Sequence, residues 1–391
     1  MNKSGISKII VVFIFIVQGV TAQVNDFKKE AVEVLRSQVL KEAAWALQQD
    51  PVTVTASRCD RSAGSIHDFF SEADYFWPDT TNLDGPYIQR DGMTYPGIFT
   101  AHRHAMIRFS KIIGALASAF VITGDDKYVK HAMVHLKAWF IDDETRMNAS
   151  LQFGQAIKGK VTGRGIGIID TIHLMEVAQG TNVMEKSAKA DAAIIDGTKK
   201  WFTDYLKWLT THQYGNDEMN TKNNHGTCWT MQVASYATLT SDTSLLNFCR
   251  ERYKTVLLPN QMADDGSYPL EIKRTKPYGY SIFNLDAMVM VCHILSDPKI
   301  DLWNFQTPEG KSIHKGLEFL YPYVKDKSAW PFQKDVMYWD NWPVAQPAFI
   351  FGAAAFNNRN WFTIWKKLDH QPVVDEVIRN LPIRNPLIWL K

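Results

Sequence analysis

The chain has 391 residues, a formal net charge of +2 and no basic block, which leaves a nucleic acid or an anionic membrane without a broad electrostatic partner. Thirteen Trp, fourteen Tyr and twenty-one Phe are a high aromatic load, and such rings either fill a core or serve as stacking platforms for carbohydrate. The four cysteines, Cys59, Cys228, Cys249 and Cys292, form no CxxC pair, so neither a zinc ribbon nor a thioredoxin-type motif is present.

At the start of the chain, Lys3 and Lys8 precede an uncharged apolar run from Ile9 to Val17 and the small-residue site Val20-Thr21-Ala22. This pattern predicts a secretory signal peptide over 1–22, cut before Gln23; the apolar run is shorter than the ~20 residues of a membrane span. No Cys follows the cut, so no lipid anchor is expected. The mature protein is expected to be exported, free in the periplasm or medium, clear of the membrane and monomeric.

A helical period then runs over 29–48. The next long segment, 64–103, and a second one, 144–165, are polar and aromatic and too long to be mere connectors; binding groups sit on such loops. Between them, 104–121 and VKHAMVHLKAWF carry apolar side chains at helical spacing, joined by ITGDDKY. The same grammar returns at 229–239 and LNFCRERYKTVLL, with Thr123-Gly124-Asp125 in the first turn and Thr240-Ser241-Asp242 in the second. Further helices are expected at 166–179, 186–212, 283–296, 311–323, 344–356 and 359–368. Strand-like alternation is scarce and no 34-residue period emerges, so the expectation is an all-α fold. Its form would be a single (α/α)n toroid or incomplete barrel of about six to seven hairpins over 23–391, with long loops over a cleft.

Two helix entrances concentrate chemistry. In TKNNHGTCW, residues 221–229, Asn224 and His225 open a helix whose N-terminal N–H groups favour an anion; the plain alternative is an Asn N-cap beside a structural His. In PLEIKRTKPYGYS, residues 269–281, Glu271, Arg274, Tyr278 and Tyr280 precede another apolar helix. Amide, imidazole and guanidinium donors beside a phenol suit β-elimination from a uronic acid polymer. There the carboxylate at C5 must be neutralised, the C5 proton removed and the departing O4 protonated. The pairs His131/His135 and His102/His104 have neither the HExxH form nor a nearby Cys cluster, so no metal and no cofactor is expected.

These residues resemble the alginate lyases and related uronate polysaccharide lyases with an α/α-toroid fold. Four ordered motifs carry the resemblance, from about Gly64 to about Ala287: EADYFWP with GPYIQRDGMTYP, then QAIKGKVTGRGIGIIDT, then NNHGTCW followed by Gln232, then PLEIKRTKPYGYS. The resemblance implies that Asn224 and His225 bind and neutralise the C5 carboxylate, that Arg274 assists and that Tyr280 transfers protons. It also implies an anionic polysaccharide substrate. Tyr280 is preferred to Tyr278 because the following SIFNL stays in register, although in one branch of the family the Arg to Tyr interval is one residue longer. Tyr87, Arg90, Gln155, Arg164, Trp229 and Glu271 are the candidates for substrate binding, and Trp77 and Trp339 are further stacking candidates. The related exo-acting enzymes carry a second, β-rich domain, whereas the residues after Ser296 read as helices and loops, which fits an endo-acting or tunnel-type lyase. Two rivals remain in view. A glycoside hydrolase would need a carboxylate pair, with Glu72, Asp74, Asp264, Asp265 and Glu271 as candidates; a glycan-binding protein would show aromatics without an acid–base set.

Overall fold

The apolar stripes of the sequence become helices packed side by side in a ring. The computed structural model describes the backbone of residues 5–82 and 84–390 and the side chains of 26–82 and 84–390; the leader expected over 1–22 lies outside the described side chains. In chain order the helices are α1 (Gly5–Ala46), α2 (Ala101–Thr123), α3 (Asp126–Phe140), α4 (Leu174–Met184), α5 (Ala192–Thr211), α6 (Gln213–Met219), α7 (Asn224–Thr240) and α8 (Thr243–Arg252). There follow α9 (Leu258–Gln261), α10 (Pro269–Ile272), α11 (Pro277–Leu295), α12 (Ile313–Lys325), α13 (Pro347–Phe356), α14 (Arg359–Lys367) and α15 (Asp375–Arg379).

Neighbour relations close the ring. Helix α1 packs on α2, α2 on α4, α4 on α7, α7 on α11, α11 on α13, and α13 back on α1. Helices α3, α5, α8, α12 and α14 lie against this inner set from outside, which is the α/α toroid expected from the sequence. The innermost helices are buried nearly all round: α11 carries a continuous buried run from Ser281 to Cys292, as a helix enclosed by others must. The α13–α1 seam is reinforced from α14, with Phe27 on Phe362 and with Arg359 and Lys366 on Glu30, and from the segment after it, where the Gln38 amide donates to the His370 carbonyl. The final segment then sits among the inner helices. Lys28 of α1, Gln179 of α4 and His293 of α11 each donate to a carbonyl of the tail, at Leu390, Ile388 and Trp389.

Both repeated turns work as their residue types demand. Gly124 and Ser241 end α2 and α7 in the left-handed conformation, at φ 69° and 59°, while Asp125 and Asp242 cap α3 and α8 through their carboxylates. Asp242→Ala removes the acceptor for the Leu245 N–H, 2.9 Å away; it should cost about 1 kcal/mol of stability, readable as a lower midpoint in scanning calorimetry.

One expected helix starts differently. The segment 166–179 begins as a 3-10 helix over Gly165–Thr171 before α4, because the chain must pass backbone to backbone against strand β4 (Phe153–Ala156). A Cβ at Gly167 would meet the Gly154 carbonyl carbon at 2.5 Å. Strand β1 (Phe70–Glu72) pairs with β4 in parallel, and β2 (Phe76–Trp77) with β3 (Ile88–Gln89) antiparallel, so the two long loops are structured and tied to each other. All four cysteines are free and buried.

Candidate active site

Helix α7 enters the site on a close approach that only glycine permits. A Cβ at Gly226 would lie 2.4 Å from the Thr221 carbonyl oxygen. Asn223 stands at the N-cap position without a side-chain cap bond. The capping is done from outside by the buried Glu271 of α10, which accepts from the Asn224 backbone N–H (2.7 Å) and from Asn224 Nδ2 (2.8 Å). One carboxamide hydrogen of Asn224 is thereby fixed and the other is left for a ligand. Burial pushes the Glu271 carboxyl up, against the pull of the Asn224 hydrogen bonds and of Arg274 and His225.

His225 is held in the same manner. Its Nδ1–H donates to Glu218 of α6 at 2.7 Å, and its side chain is 17% exposed against 0% for Glu218. A carboxylate on Nδ1 sets the tautomer that keeps a lone pair on Nε2.

Helix α11 repeats the device. The N–H groups of Tyr278 and Gly279 donate to the Asp335 carboxylate at 2.8 and 2.9 Å, and Tyr280 follows within the first turn. Its hydroxyl lies 2.8 Å from that of Tyr75, contributed by the long loop after β1. The Arg274 guanidinium is 4.6 Å from the Tyr280 ring centre and the Lys276 ammonium 5.2 Å. Burial drives the Tyr280 phenol well above its ordinary range, Tyr75 adds to that, and Lys276 and Arg274 oppose it. Arg274 is oriented by Asp91 through two bonds, 2.8 and 3.3 Å, and Thr275 donates to the same carboxylate.

Several sequence expectations change on inspection of their surroundings. Tyr278 is 0% exposed and its hydroxyl donates to the Tyr323 carbonyl, so of the two phenols only Tyr280 reaches the site. Trp229 is 1% exposed with its indole N–H on the Leu209 carbonyl; it is a core ring and offers no face to a sugar. Glu271, fully buried, holds Asn224 and does not face a ligand. Gln155 is 5% exposed with φ 50°, and its Oε1 accepts from Arg164, which also lies over the Phe76 ring. The pair braces the two long loops against each other. Arg90 and Tyr87 stay accessible, the first over the Trp77 ring at 4.9 Å and the second beside Tyr95. Trp339 packs against Tyr278.

Three of the carboxylates a hydrolase would require are committed elsewhere: Glu72 takes two bonds from Arg61, Asp74 is paired with Arg103 and Arg379, and Glu271 holds Asn224. Asp264 and Asp265 are exposed on the turn before α10, where Asp265 accepts from the Ser267 N–H. Of the histidine pairs, His131 and His135 share the Gln49 carbonyl and His102 joins the Phe70 N–H to the Ser57 carbonyl, while the exposed His104 lies 3.5 Å from Asp375.

The recess around Tyr280 and Lys276 holds only about 10 Å³, closed by Tyr338, Glu376 and neighbouring residues. Tyr338 and Glu376 also line a cavity of about 1070 Å³ between α1, α2, the loop 94–100 and the segment 370–385. Asn224, His225 and Arg274 do not line that cavity. Its walls include Trp77, Tyr95, Arg108 and Lys111.

Sequence reasoning missed six residues at the centre: Tyr75, Asp91, Glu218, Lys276, Asp335 and Glu376. Tyr75, Asp91 and Lys276 stand inside motifs already singled out. Glu218, Asp335 and Glu376 are single acids without a pattern, brought in by tertiary packing.

The profile of the family described as Alginate lyase matches residues 53–330. An alginate lyase from Bacteroides ovatus is 30% identical, with a TM-score of 0.81 over 94% of this chain and 97% of that one. Alginate lyase A1-III from Sphingomonas species A1 shares the fold at 14% identity, with a TM-score of 0.53 over 83% of this chain and 89% of that one. No curated protein sequence matches. With the family profile spanning most of its length and a relative aligned along nearly all of it, the chain belongs to the alginate lyase family.

Proposed function

We propose that the protein is an exported polysaccharide lyase, a single toroid after its leader, that cleaves 1,4-linked uronate polymers, alginate first, by β-elimination. The observation that carries this reading is the Tyr280–Tyr75 hydroxyl pair flanked by Arg274, on a helix neighbouring the one that bears the carboxylate-held Asn224 and His225. Asn224, His225 and Arg274 neutralise the C5 carboxylate and stabilise the charge that grows on it as the proton leaves. In mannuronate H5 and O4 share a face. The Tyr280 phenolate takes H5, the C5–H electron pair becomes the C4=C5 double bond, the C4–O4 bond breaks, and Tyr280 returns the proton to O4. In guluronate C5 is inverted; His225 Nε2 takes H5 and the Tyr280 phenol protonates O4. The Glu218 contact on Nδ1 favours His225 as that base, since it leaves Nε2 as the basic atom.

The test is ultraviolet absorbance of the unsaturated product on polymannuronate, polyguluronate and glucuronan, with chelator present. A chelator-resistant rise on an alginate block supports the assignment; silence on alginate with a rise on glucuronan moves the substrate, and silence on all three removes the lyase reading.

The large cavity is assigned to the polymer beyond the reacting sugar. Arg108 is bound only by the Gln49 side chain and the Asp50 carbonyl, and Lys111 lies over the Trp45 ring; neither forms a salt bridge among the described residues. Arg108→Ala and Lys111→Ala should each raise KM on long polymer by up to about fivefold, the scale of an exposed ion pair. The values for kcat, and for KM on trisaccharides, should stay in place in steady-state assays.

A further inference from the structure

Lys276 belongs to no role derived so far, yet it occupies the most constrained position near the reacting phenol. Its side chain is 5% exposed. Its ammonium nitrogen lies 4.9 Å from the ring centre of Tyr75, 5.2 Å from Tyr280 and 5.5 Å from Tyr338. The carboxylate that pairs with it is Glu376 of α15, which also receives Arg379 at 3.5 Å. Glu376 and Arg379 lie beyond the residues that the family profile matches.

We propose that Lys276, fixed by Glu376, is a positioning residue that makes the Tyr75–Tyr280 pair able to lose a proton, so that the C-terminal segment completes the catalytic centre. This rests on Tyr280 being the proton-transfer group.

A buried phenol pair sharing a hydrogen bond resists ionisation, because burial disfavours the anion. A cation ~4–6 Å away favours the anion by ~1–3 pKa units; Lys276 and Arg274 stand 5.2 and 4.6 Å from the Tyr280 ring centre and both favour its ionised form. The Arg274 charge is met by the bidentate Asp91, at the 30% exposed edge of the site. Lys276 stands on the buried side, where the field is screened least. Burial pulls the Lys276 ammonium down, but Glu376 and Tyr280 outweigh it and hold it above its ordinary value, so it stays charged throughout the working range. The other charged groups facing the pair are Asp74 and Arg379, which are bonded to each other, and Asp335, which caps α11.

The experiment combines rate profiles with direct titration. For Lys276→Met the rising limb of kcat/KM against pH should move up by ~1–3 units, kcat at neutral pH should fall about tenfold or more, and KM should hold within about twofold. Lys276→Arg should restore most of both. Glu376→Gln should move the limb the same way by a smaller amount, because the buried ammonium then loses the carboxylate that holds it in place and charged. Phenolate absorbance, read as the difference between each protein and its Tyr280→Phe form, should shift in the same directions. A loss of kcat in Lys276→Met with the limb unmoved, or a Glu376→Gln limb that moves to lower pH, overturns the proposal. An inactive wild type whose phenolate onset still shifts would instead strike the lyase reading and leave the coupling standing.

Discussion

Tyr280→Phe should abolish double-bond formation on polymannuronate, with kcat down by at least about four orders of magnitude. A positioned acid or base contributes ~10²–10⁴-fold, and on this substrate one phenol performs both transfers. On polyguluronate the same substitution removes only the acid, so the loss should stay within that ~10²–10⁴ range. The fold should hardly notice: among the described residues the hydroxyl has one hydrogen-bond partner, Tyr75 at 2.8 Å, and a hydrogen bond of this kind contributes about 1 kcal/mol. Progress curves on the two block polymers, with a thermal melt alongside, check all three statements. Equal activity of the variant on both would transfer the chemistry to another group.

The largest effect on stability should come from Asp74→Ala, about 3–5 kcal/mol, the typical cost of leaving buried charges unpaired. Asp74 takes Arg103 and Arg379 at 2.8 Å each, inside a cluster that includes Asp170, 3.4 Å from Arg103 and bonded by Ser71. Removing it leaves Arg103 to Asp170 alone, and Arg379 to Asp170 at 3.7 Å and to a Glu376 already shared with Lys276. Burial alone would raise the Asp74 carboxyl, but Arg103 and Arg379 outweigh it and hold it below its ordinary value. Its contribution is therefore fully present above the unfolded-state value of ~3.9 and is lost as pH falls through the lower folded value. The variant should accordingly lose little further stability from this site on acidification, whereas the wild type should. Urea titrations at neutral and acidic pH would show the two curves converging; parallel curves would mean that the network does not set the acid limit.

Much of the ring was legible because helical period, Asp caps and Gly or Ser turns are local signals. The twin turns at Gly124-Asp125 and Ser241-Asp242 are the clearest instance. The 3-10 entry to α4 was not, because it answers to backbone contact with Gly154, a partner set by the fold. The same division holds at the site. Asn224, His225 and Arg274 could be singled out because their types cluster at two helix entrances, and Tyr280 was preferred to Tyr278 through the family resemblance. Trp229 was misjudged because a tryptophan beside a reactive motif reads the same whether it faces solvent or core, and Glu271 because a helix-entrance acid does not declare which way it points. Glu218, Asp335 and Glu376 are lone acids in ordinary helical or loop sequence, and only packing reveals that they hold His225, the first turn of α11 and Lys276.

The segment held by Lys28, Gln179 and His293 gives three inner helices one common partner. Trp389 and Leu390 are core residues, so α1, α4 and α11 are joined through them as well as through their neighbours in the ring. A proteolytic cut before Pro386 would therefore loosen all three helices at once, whereas a cut in any one connection between hairpins would touch only the pair it joins.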